Sequence, residues 1–166
     1  MSFKKIKYKI HKDFLEKTFF NQFQKFIFSY GIAWFWEAHQ HNSKDRGFFR
    51  HSFYLQHEPR SPHYVPFIVP ILQKLKCKMV SNIRANCLVK DHKPYTSTFH
   101  CDRSYNCKTA ILYMNTNNGY TLLGEKEKIK IDSEANQMVV FNSQTKHCAV
   151  SQTDQERRIV INFNYV

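Results

Sequence analysis

A histidine and an aspartate stand two positions apart at His100 and Asp102, just ahead of an alternating apolar run that ends at Met114. In an extended strand, side chains two positions apart point to the same face, so an imidazole nitrogen and a carboxylate oxygen can bind one metal ion from one side. A third ligand must come from elsewhere in the chain, and His147 is the candidate. Two histidines and one carboxylate on one face, with the opposite positions open, are the ligand set of non-haem Fe(II) oxygen chemistry.

The His-x-Asp spacing is not specific by itself, because the chain has 9 histidines and contains a second copy, His11-Lys12-Asp13. We interpret that copy as a helix start, since Asp13 and Glu16 have the spacing of a capping box ahead of a helical run. We interpret His39 and His41, in a polar loop, as solvent-facing side chains. For the first copy, two other interpretations stay open: a hydrogen-bonded cluster without a metal, and a structural Zn²⁺ site.

The elements that must position these residues are predicted from hydrophobic periodicity. From residue 80 onward, short alternating apolar stretches bounded by turns indicate β-strands. They cover 80–88, 97–102, 109–114, 120–123, 129–131, 138–141, 147–150 and 159–166, with a turn at 115–119. Such a series of strands with short loops predicts a double-stranded β-helix, the jelly-roll or cupin-like fold.

The N-terminal part is predicted to cover this core with helices. Lysines alternate with apolar residues over 4–10, which predicts an edge strand. Apolar side chains recur every three or four positions over 14–30, which predicts an amphipathic helix ended by Gly31. A second helix is predicted over 65–76, although Pro70 is awkward for its middle. The expected fold class is therefore mostly β with flanking helices (α+β), with two N-terminal helices packed on the jelly roll.

Length and composition favour one domain, 1–166, with 1–77 as a helical and β support and 78–166 as the jelly-roll core with the metal site. The net charge of +12 favours an acidic partner such as nucleic acid, although spread lysines are also typical of a solvated surface. The 5 cysteines include no CxxC pair, and no signal-peptide pattern follows the basic N-terminus, so a reduced, cytoplasmic protein is expected. The longest apolar run, 65–72, is too short to span a bilayer, and no membrane segment is expected.

The C-terminal half resembles the Fe(II)/2-oxoglutarate-dependent oxygenases, and within them the prolyl-hydroxylase-like group. Its matching segments are, in the family's order, HCD at 100–102, TAILYMN at 109–115, the turn with Gly119, VVFNS at 139–143, His147 and RIVINFNYV at 158–166. That group often has a Gly-Gly pair after the tyrosine strand, where this chain has Asn118-Gly119. The N-terminal half has no family-specific motif. The compact size is similar to that of oxygenases carried by bacteriophages, which would place the protein in the host cytoplasm.

The resemblance implies a role for each site residue. His100, Asp102 and His147 would bind Fe(II), with the cosubstrate 2-oxoglutarate beside it. The distal carboxylate of 2-oxoglutarate requires a buried cation, and a guanidinium pairs with a carboxylate through two hydrogen bonds. Arg157 and Arg158 compete for this role. We predict Arg158, because alternation along the last strand places it on one face with polar residues that fit a lumen holding a charged ligand.

Two further residues are assigned to the cosubstrate. Tyr113 occupies the position where the resembling family has a tyrosine whose hydroxyl contacts the same carboxylate. The alternative for Tyr113 is a core aromatic side chain with a satisfied hydroxyl. Asn162, which shares the face of Arg158, is expected to be another polar neighbour of 2-oxoglutarate.

The implied reaction is hydroxylation of a C–H bond coupled to decarboxylation of 2-oxoglutarate, with ascorbate keeping the iron reduced. The nearest group acts on peptidyl proline, so a peptide or protein substrate is expected, and loops within 36–61 and 89–97 are candidates for a peptide groove. Two alternatives remain: oxidation of a nucleic-acid base, which the positive charge favours, and a non-catalytic cupin-like module that binds a metal or ligand. The sequence does not indicate an oligomeric state.

Overall fold

The structure is a computed structural model, and it describes residues 5–39 and 43–166. Two antiparallel sheets form most of the described chain. The strands, in chain order, are β1 (Tyr8–His11), β2 (Phe35–Glu37), β3 (Phe48–Leu55), β4 (Glu58–Pro59), β5 (Val80–Val89), β6 (Lys108–Tyr113), β7 (Asn117–Leu123), β8 (Ile129–Ser133), β9 (Met138–Asn142), β10 (His147–Val150) and β11 (Arg157–Tyr165). The helical elements are α1 (Lys17–Ile27), a π-helical turn (Tyr64–Ile68) and α2 (Val69–Lys74).

The larger sheet has the order β1-β9-β6-β11-β5-β3-β2, with β4 paired to β3, and the smaller sheet has the order β10-β7-β8. All strand pairs with a recorded register are antiparallel. Non-sequential neighbours such as β11 between β5 and β6 are typical of a jelly roll. The mostly β architecture predicted from the sequence is confirmed.

Strand β11 separates two hydrophobic clusters because its side chains alternate between its faces. Ile159, Ile161 and Phe163 face the larger cluster, which also contains buried side chains of α1 and α2. Val160 belongs to a smaller cluster with residues of β6, β7, β8 and β9, between the two sheets. The predicted alternation of β11 is thus confirmed, and its second face turns Arg158 toward the interior between the sheets, where it is 1% exposed.

Helix α1 covers the outer face of the larger sheet and is shorter than the predicted range 14–30. Phe20, Phe23 and Ile27 are its buried side chains. The predicted capping box is wrong: the N-cap is Glu16, whose carboxylate accepts hydrogen bonds from the backbone N–H groups of Thr18 (2.9 Å) and Phe19 (3.0 Å). Asp13 instead has a positive φ of 48°, which places it in the turn before the helix.

The predicted second helix over 65–76 is not a single α-helix. A π-helical turn is followed by the six-residue helix α2, and Pro70 lies in the first turn of α2. Proline is tolerated there because the first N–H groups of a helix have no intrahelical partner. Pro70 therefore lies in the first turn of a new helix. Instead of the two expected N-terminal helices, the structure has one helix, α1, and a segment in which a π-helical turn precedes α2. No helix within 5–39 or 43–166 has the length and apolar character needed to cross a membrane.

Four other predicted ranges differ from the structure. Residues 97–102 form no strand, and this segment makes isolated bridges from Thr96 to Val150 and from His100 to His147. The expected turn at 115–119 overlaps the start of β7, where the register shifts between Asn117 and Tyr120. The predicted edge strand 4–10 corresponds to β1, which begins only at Tyr8, and Lys4 lies outside the described residues. His41, which was predicted to face solvent, also lies outside the described residues. Much of 36–61 is strand rather than loop, since β3 and β4 lie within it.

Candidate metal and cosubstrate site

The backbone pairs His100 directly with His147. Each residue's N–H donates to the other's carbonyl oxygen at 2.9 Å, in an isolated antiparallel bridge. The imidazole ring centroids are 4.3 Å apart. Two hydrogen bonds thus bring together side chains that are distant in the sequence.

Both imidazoles are held in the same orientation by the backbone. Nδ1 of His100 lies 3.2 Å from the carbonyl oxygen of Thr98, and Nδ1 of His147 lies 3.0 Å from that of Thr145. A carbonyl oxygen only accepts hydrogen bonds, so a neutral imidazole bonded in this way carries its proton on Nδ1. Its Nε2 then presents a lone pair, as a metal ligand must.

The carboxylate of Asp102 completes the group, and its two oxygens have different surroundings. Oδ2 accepts hydrogen bonds from Thr109 Oγ1 (2.7 Å), Asn164 Nδ2 (2.8 Å) and Asn162 Nδ2 (3.3 Å). Oδ1 is buried without a hydrogen-bond donor among the described residues. It lies 3.6 Å from Nε2 of His100 and 3.6 Å from Nε2 of His147.

Burial and charge keep these groups in the protonation states that metal binding needs. Burial alone would raise the pKa of the Asp102 carboxyl, but the neighbouring His100 and His147 imidazoles hold it well below its usual value. The guanidinium of Arg84 acts in the same direction. Burial lowers the pKa of His147 to about 4, against the opposing effect of the Asp102 carboxylate. At neutral pH Asp102 is therefore charged and His147 is neutral.

The group fits a divalent metal ion. The ligand atoms of His100, Asp102 and His147 all lie within 4.8 Å of one another. Three donors hold the Asp102 carboxylate from behind, and its other oxygen, which lacks a donor, is on the side of the two Nε2 atoms. A buried oxygen of this kind is costly unless a cation or a donor reaches it. A hydrogen-bonded cluster without a metal, one of the alternatives from the sequence, would require Oδ1 to have such a donor.

Arg158 lies in the same interior and has no acidic partner. Its Nε donates to Ser133 Oγ (2.9 Å) and its Nη2 to Thr121 Oγ1 (3.3 Å). No carboxylate among the described residues forms an ion pair with it, although its side chain is almost completely buried. Burial lowers the pKa of Arg158. A buried guanidinium bound only to neutral hydroxyls has the chemistry to bind an anion.

Thr121 links Arg158 to Tyr113. The hydroxyl of the fully buried Tyr113 donates to Thr121 Oγ1 at 2.9 Å, and this oxygen also accepts from Arg158. Both acceptor positions of the threonine oxygen are then used, so its own proton is directed elsewhere. The guanidinium lies over the Tyr113 ring, 5.7 Å from its centroid. Tyr113 and Arg158 are thus adjacent, and the Tyr113 hydroxyl is satisfied by Thr121, which is what the alternative of a core aromatic side chain expects.

Gly119 leaves the room that the Arg158 side chain occupies. A Cβ atom at this position would lie 2.9 Å from Arg158 Cδ, and equally close to Asn117 Oδ1 and the Val150 carbonyl oxygen. Carbon atoms do not approach so closely without displacing a neighbour. Where the resembling group often has a Gly-Gly pair, this chain has Asn118-Gly119, and the glycine that is present is the one that lies beside Arg158.

Comparison with solved structures identifies this arrangement of sheets. An oxidoreductase of the 2OG-Fe(II) oxygenase family from Burkholderia pseudomallei has a TM-score of 0.69 at 8% identity, with 95% of this chain and 84% of that chain covered. A prolyl hydroxylase from Trichoplax adhaerens, in complex with a hypoxia inducible factor oxygen degradation domain peptide fragment, has a TM-score of 0.63 at 12% identity, with 95% and 83% covered. The fold is that of the Fe(II)/2-oxoglutarate oxygenases.

This fold hosts more than one reaction among its solved members. The non-heme alpha-ketoglutarate-dependent carbocyclase SnoK, from nogalamycin biosynthesis, has a TM-score of 0.66 at 14% identity, with 96% of this chain and 79% of that chain covered. No protein-family model matches the sequence, and neither does any curated protein. At these identities the similarity establishes the oxygenase fold, and the chemistry must be argued from the residues.

Within the oxygenase fold, the two competing arginines have opposite positions. Arg157 points to the helix side, where its Nη2 donates to the carbonyl oxygen of Phe28 (3.2 Å) and its guanidinium lies over the Phe28 ring. Arg158 points between the sheets and lines the cleft that also contains His100 and His147. Asn162 also lines this cleft, but its amide donates to Asp102, so it contacts the metal-side carboxylate.

The cleft of the oxygenase fold encloses about 560 Å³ of empty space, part of it open to solvent. Its lining includes His100, His147 and Arg158, and also Arg84 and Asn86 of β5. The alternation of NIRANCLV along β5 predicts that Arg84 and Asn86 point to one face, from which they can reach the same cavity. Thr121 and Ser133, which bind Arg158, have no sequence signal, because single hydroxyl residues in strands are common.

Proposed function

We propose that this chain is an Fe(II)- and 2-oxoglutarate-dependent dioxygenase that hydroxylates a C–H bond of a peptidyl, prolyl-type substrate. The single observation that carries the proposal is the presence of a metal-binding group and a buried guanidinium in one cleft. On one side, a buried carboxylate oxygen without a donor faces two imidazole nitrogens. On the other side, the buried Arg158 guanidinium is bound by the hydroxyls of Ser133 and Thr121 and forms no ion pair with a carboxylate of residues 5–39 and 43–166.

The metal in this proposal is bound by His100, Asp102 and His147. Two histidines and one carboxylate are the facial ligand set of non-haem Fe(II) oxygenases, which leaves the other coordination positions for cosubstrate and oxygen. With O₂ as the oxidant, Fe(II) and 2-oxoglutarate would supply oxidative decarboxylation to succinate and CO₂, in which one oxygen atom enters succinate and the other hydroxylates the C–H bond. Ascorbate would serve as a reductant for the iron.

The protein's own residues have three tasks in this reaction. The carbonyl oxygens of Thr98 and Thr145 fix the imidazole orientations. Thr109 and the amides of β11 fix the Asp102 carboxylate, which keeps one oxygen directed at the metal. Arg158 binds the distal carboxylate of 2-oxoglutarate and thereby orients its keto-acid end toward the ligands.

Tyr113 and Thr121 assist Arg158 in the proposed cosubstrate site. Thr121 accepts from both Tyr113 and Arg158, so its own hydroxyl proton can be donated to the 2-oxoglutarate carboxylate. Tyr113 then acts by holding Thr121, and through its ring next to the guanidinium. Asn162, which donates to Asp102, acts on the metal side.

The proposal is tested by succinate formation from 2-oxoglutarate in the presence of Fe(II) and ascorbate. We expect the purified chain to form succinate, and the variants Asp102→Ala and Arg158→Gln to form little. Arg157→Gln is the matched control, because it changes the neighbouring arginine on the outer face of the same strand. Equal activity of the Arg158 and Arg157 variants would contradict the assigned cosubstrate site.

Mass spectrometry separates the peptide substrate from the alternatives. A gain of one oxygen atom on proline-containing peptides supports the prolyl-type assignment. The same gain on oligonucleotide bases would favour the nucleic-acid alternative, for which the net charge of +12 is the supporting observation. Metal binding without any succinate formation, with or without candidate substrates, would instead indicate a non-catalytic cupin-like module.

A further inference from the structure

Strand β5 directs polar side chains into the interior on one of its faces. Ile83, Ala85 and Cys87 face the large hydrophobic cluster under α1. The alternate residues Arg84 and Asn86 line the cleft that contains the candidate metal site. Arg84 is paired in register with Asn162 of β11, whose amide binds Asp102. This face of β5 is therefore a wall of the reaction cleft.

Arg84 is a cation with no partner in the described protein. Its Nε is buried and has no hydrogen-bond acceptor, and no described carboxylate lies within ion-pair distance of its guanidinium. The carboxylate of the nearby Glu37 is already paired with Arg50, at 2.6 Å. Burial lowers the pKa of Arg84, and the charge of Asp102 opposes this effect. Holding such a group in a cleft is costly unless a ligand anion binds it.

The proposed metal and cosubstrate do not neutralise this arginine. The charges of Fe²⁺, the Asp102 carboxylate, the 2-oxoglutarate dianion and the Arg158 guanidinium sum to zero. Arg84 is thus a surplus positive charge in the loaded site. A second buried guanidinium nitrogen without an acceptor, Nε of Arg103, lies on the residue after Asp102. The remaining component of the reaction, the substrate, is what can supply the negative charge.

The neighbouring side chain narrows the class of anion. Oδ1 of Asn86 is buried and has no donor among the described residues, so it can accept a hydrogen bond from an N–H or O–H group of the ligand. An acidic amino-acid residue offers a carboxylate for Arg84 and a backbone N–H for Asn86. A phosphodiester offers acceptors only. On the basis of the proposed function, we infer that Arg84 and Asn86 form a subsite for a peptide substrate that carries an acidic residue next to the hydroxylated position.

The test uses the intact chain loaded with Mn(II) and saturated with N-oxalylglycine, an unreactive analogue of 2-oxoglutarate. Two labelled peptide pools are compared, one with Asp and Glu on either side of a randomised residue and one with Asn and Gln there. Fluorescence anisotropy gives the affinity, and relaxation enhancement by Mn(II) reports proximity to the metal. We expect the acidic pool to bind at least about tenfold more tightly, since a charge-assisted hydrogen bond exceeds a neutral one by this order.

Variants assign the preference to the subsite. Arg84→Gln is expected to reduce the preference for the acidic pool to about twofold or less, while Arg84→Lys keeps part of it. Arg157→Gln is the control, because Arg157 lies on the helix side of β11, where it contacts Phe28. The inference is overturned if the wild-type chain shows no acid preference or if Arg84→Gln retains it. Stronger Arg84-dependent binding of nucleoside monophosphates than of the acidic pool overturns the peptide assignment.

The same experiment separates this inference from the proposed function. Mn(II) and N-oxalylglycine affinities are measured first, for the wild type and for Arg84→Gln. Failure of the wild type to bind them contradicts the proposed function, whereas normal binding without an acid preference contradicts only the substrate inference. Retention of both affinities by Arg84→Gln shows that the variant is folded.

Discussion

Replacing Arg158 by methionine should separate binding of the cosubstrate from stability of the fold. The Arg158 guanidinium is almost completely buried and is bound by two hydroxyls with no carboxylate in reach. Methionine has a similar length and fills the same space without a charge. We expect the variant to lose the affinity for 2-oxoglutarate and to keep, or increase, the free energy of unfolding of the ligand-free protein.

The two expected effects have different magnitudes. Truncating one partner of a buried, hydrogen-bonded charge pair costs about 2–5 kcal/mol, which corresponds to a dissociation constant raised about 30-fold to about 4,000-fold. In the ligand-free protein, Arg158 is the unpaired member of such a pair. Replacing a buried ionic group by an apolar one of similar volume is often neutral or stabilising, by about 1–4 kcal/mol. The lost bonds to Ser133 and Thr121 reduce this gain.

Calorimetric titration of 2-oxoglutarate into the Mn(II)-loaded protein and chemical unfolding of the metal-free protein measure the two effects. Arg157→Met is the matched control, since Arg157 contacts Phe28 on the opposite face of β11. Unchanged affinity in the Arg158 variant, or an equal loss in the Arg157 variant, would refute the assignment. A loss of several kcal/mol of stability in the Arg158 variant would show that the guanidinium is structural.

Three further outcomes are expected. Thr109→Val removes a donor to Asp102 Oδ2 and should lower Mn(II) affinity about 10- to 100-fold, measured by electron paramagnetic resonance. Gly119→Ala should cost about 1–3 kcal/mol of stability in thermal unfolding and weaken 2-oxoglutarate binding. Gly31→Ala is the control, because its new Cβ atom would approach only side-chain atoms, the nearest at 3.3 Å. Burial lowers the pKa of His51, so its contribution to stability is present above the ordinary histidine pKa of about 6.5 and is lost as the pH falls below that value. His51→Gln should flatten the pH dependence of chemical unfolding in this range, and an unchanged slope would contradict the reasoning.

Part of the site could be predicted from the sequence, because side chains alternate between the two faces of a strand. Alternation along β11 placed Arg158 on the polar face and Arg157 on the other, and the structure has both side chains on those faces. The His-x-Asp pair and His147 converge as that spacing and the resemblance indicated. The prediction for β11 succeeds because a strand that is buried on both faces allows no shift of register. The His-x-Asp segment is not a strand, and an isolated bridge from His100 to His147 brings its side chains to His147.

The parts that depend on single hydrogen bonds were not readable. Ser133 and Thr121 bind Arg158 from strands of the smaller sheet, and nothing local distinguishes them from other hydroxyl residues. The capping box at Asp13 and Glu16 failed for a similar reason. The turn gives Asp13 a positive φ, and Glu16 caps the helix with its own carboxylate. Propensity rules describe which residues suit a position, and tertiary contacts decide which of them is used.

The segment that carries the first metal ligand shows why a regular strand was the wrong prediction there. The backbone N–H of Thr98, which would donate to a neighbouring strand in a ladder, instead donates to the buried carboxylate of Asp45 at 2.9 Å. The carbonyl oxygen of the same Thr98 faces Nδ1 of His100. Thr98 is therefore held by the Asp45 carboxylate through its N–H, and it orients the His100 imidazole through its carbonyl oxygen. In a continuous strand ladder, the N–H and the carbonyl group of Thr98 would pair with a neighbouring strand. Here they bind Asp45 and face His100 instead, and for this reason the segment is irregular.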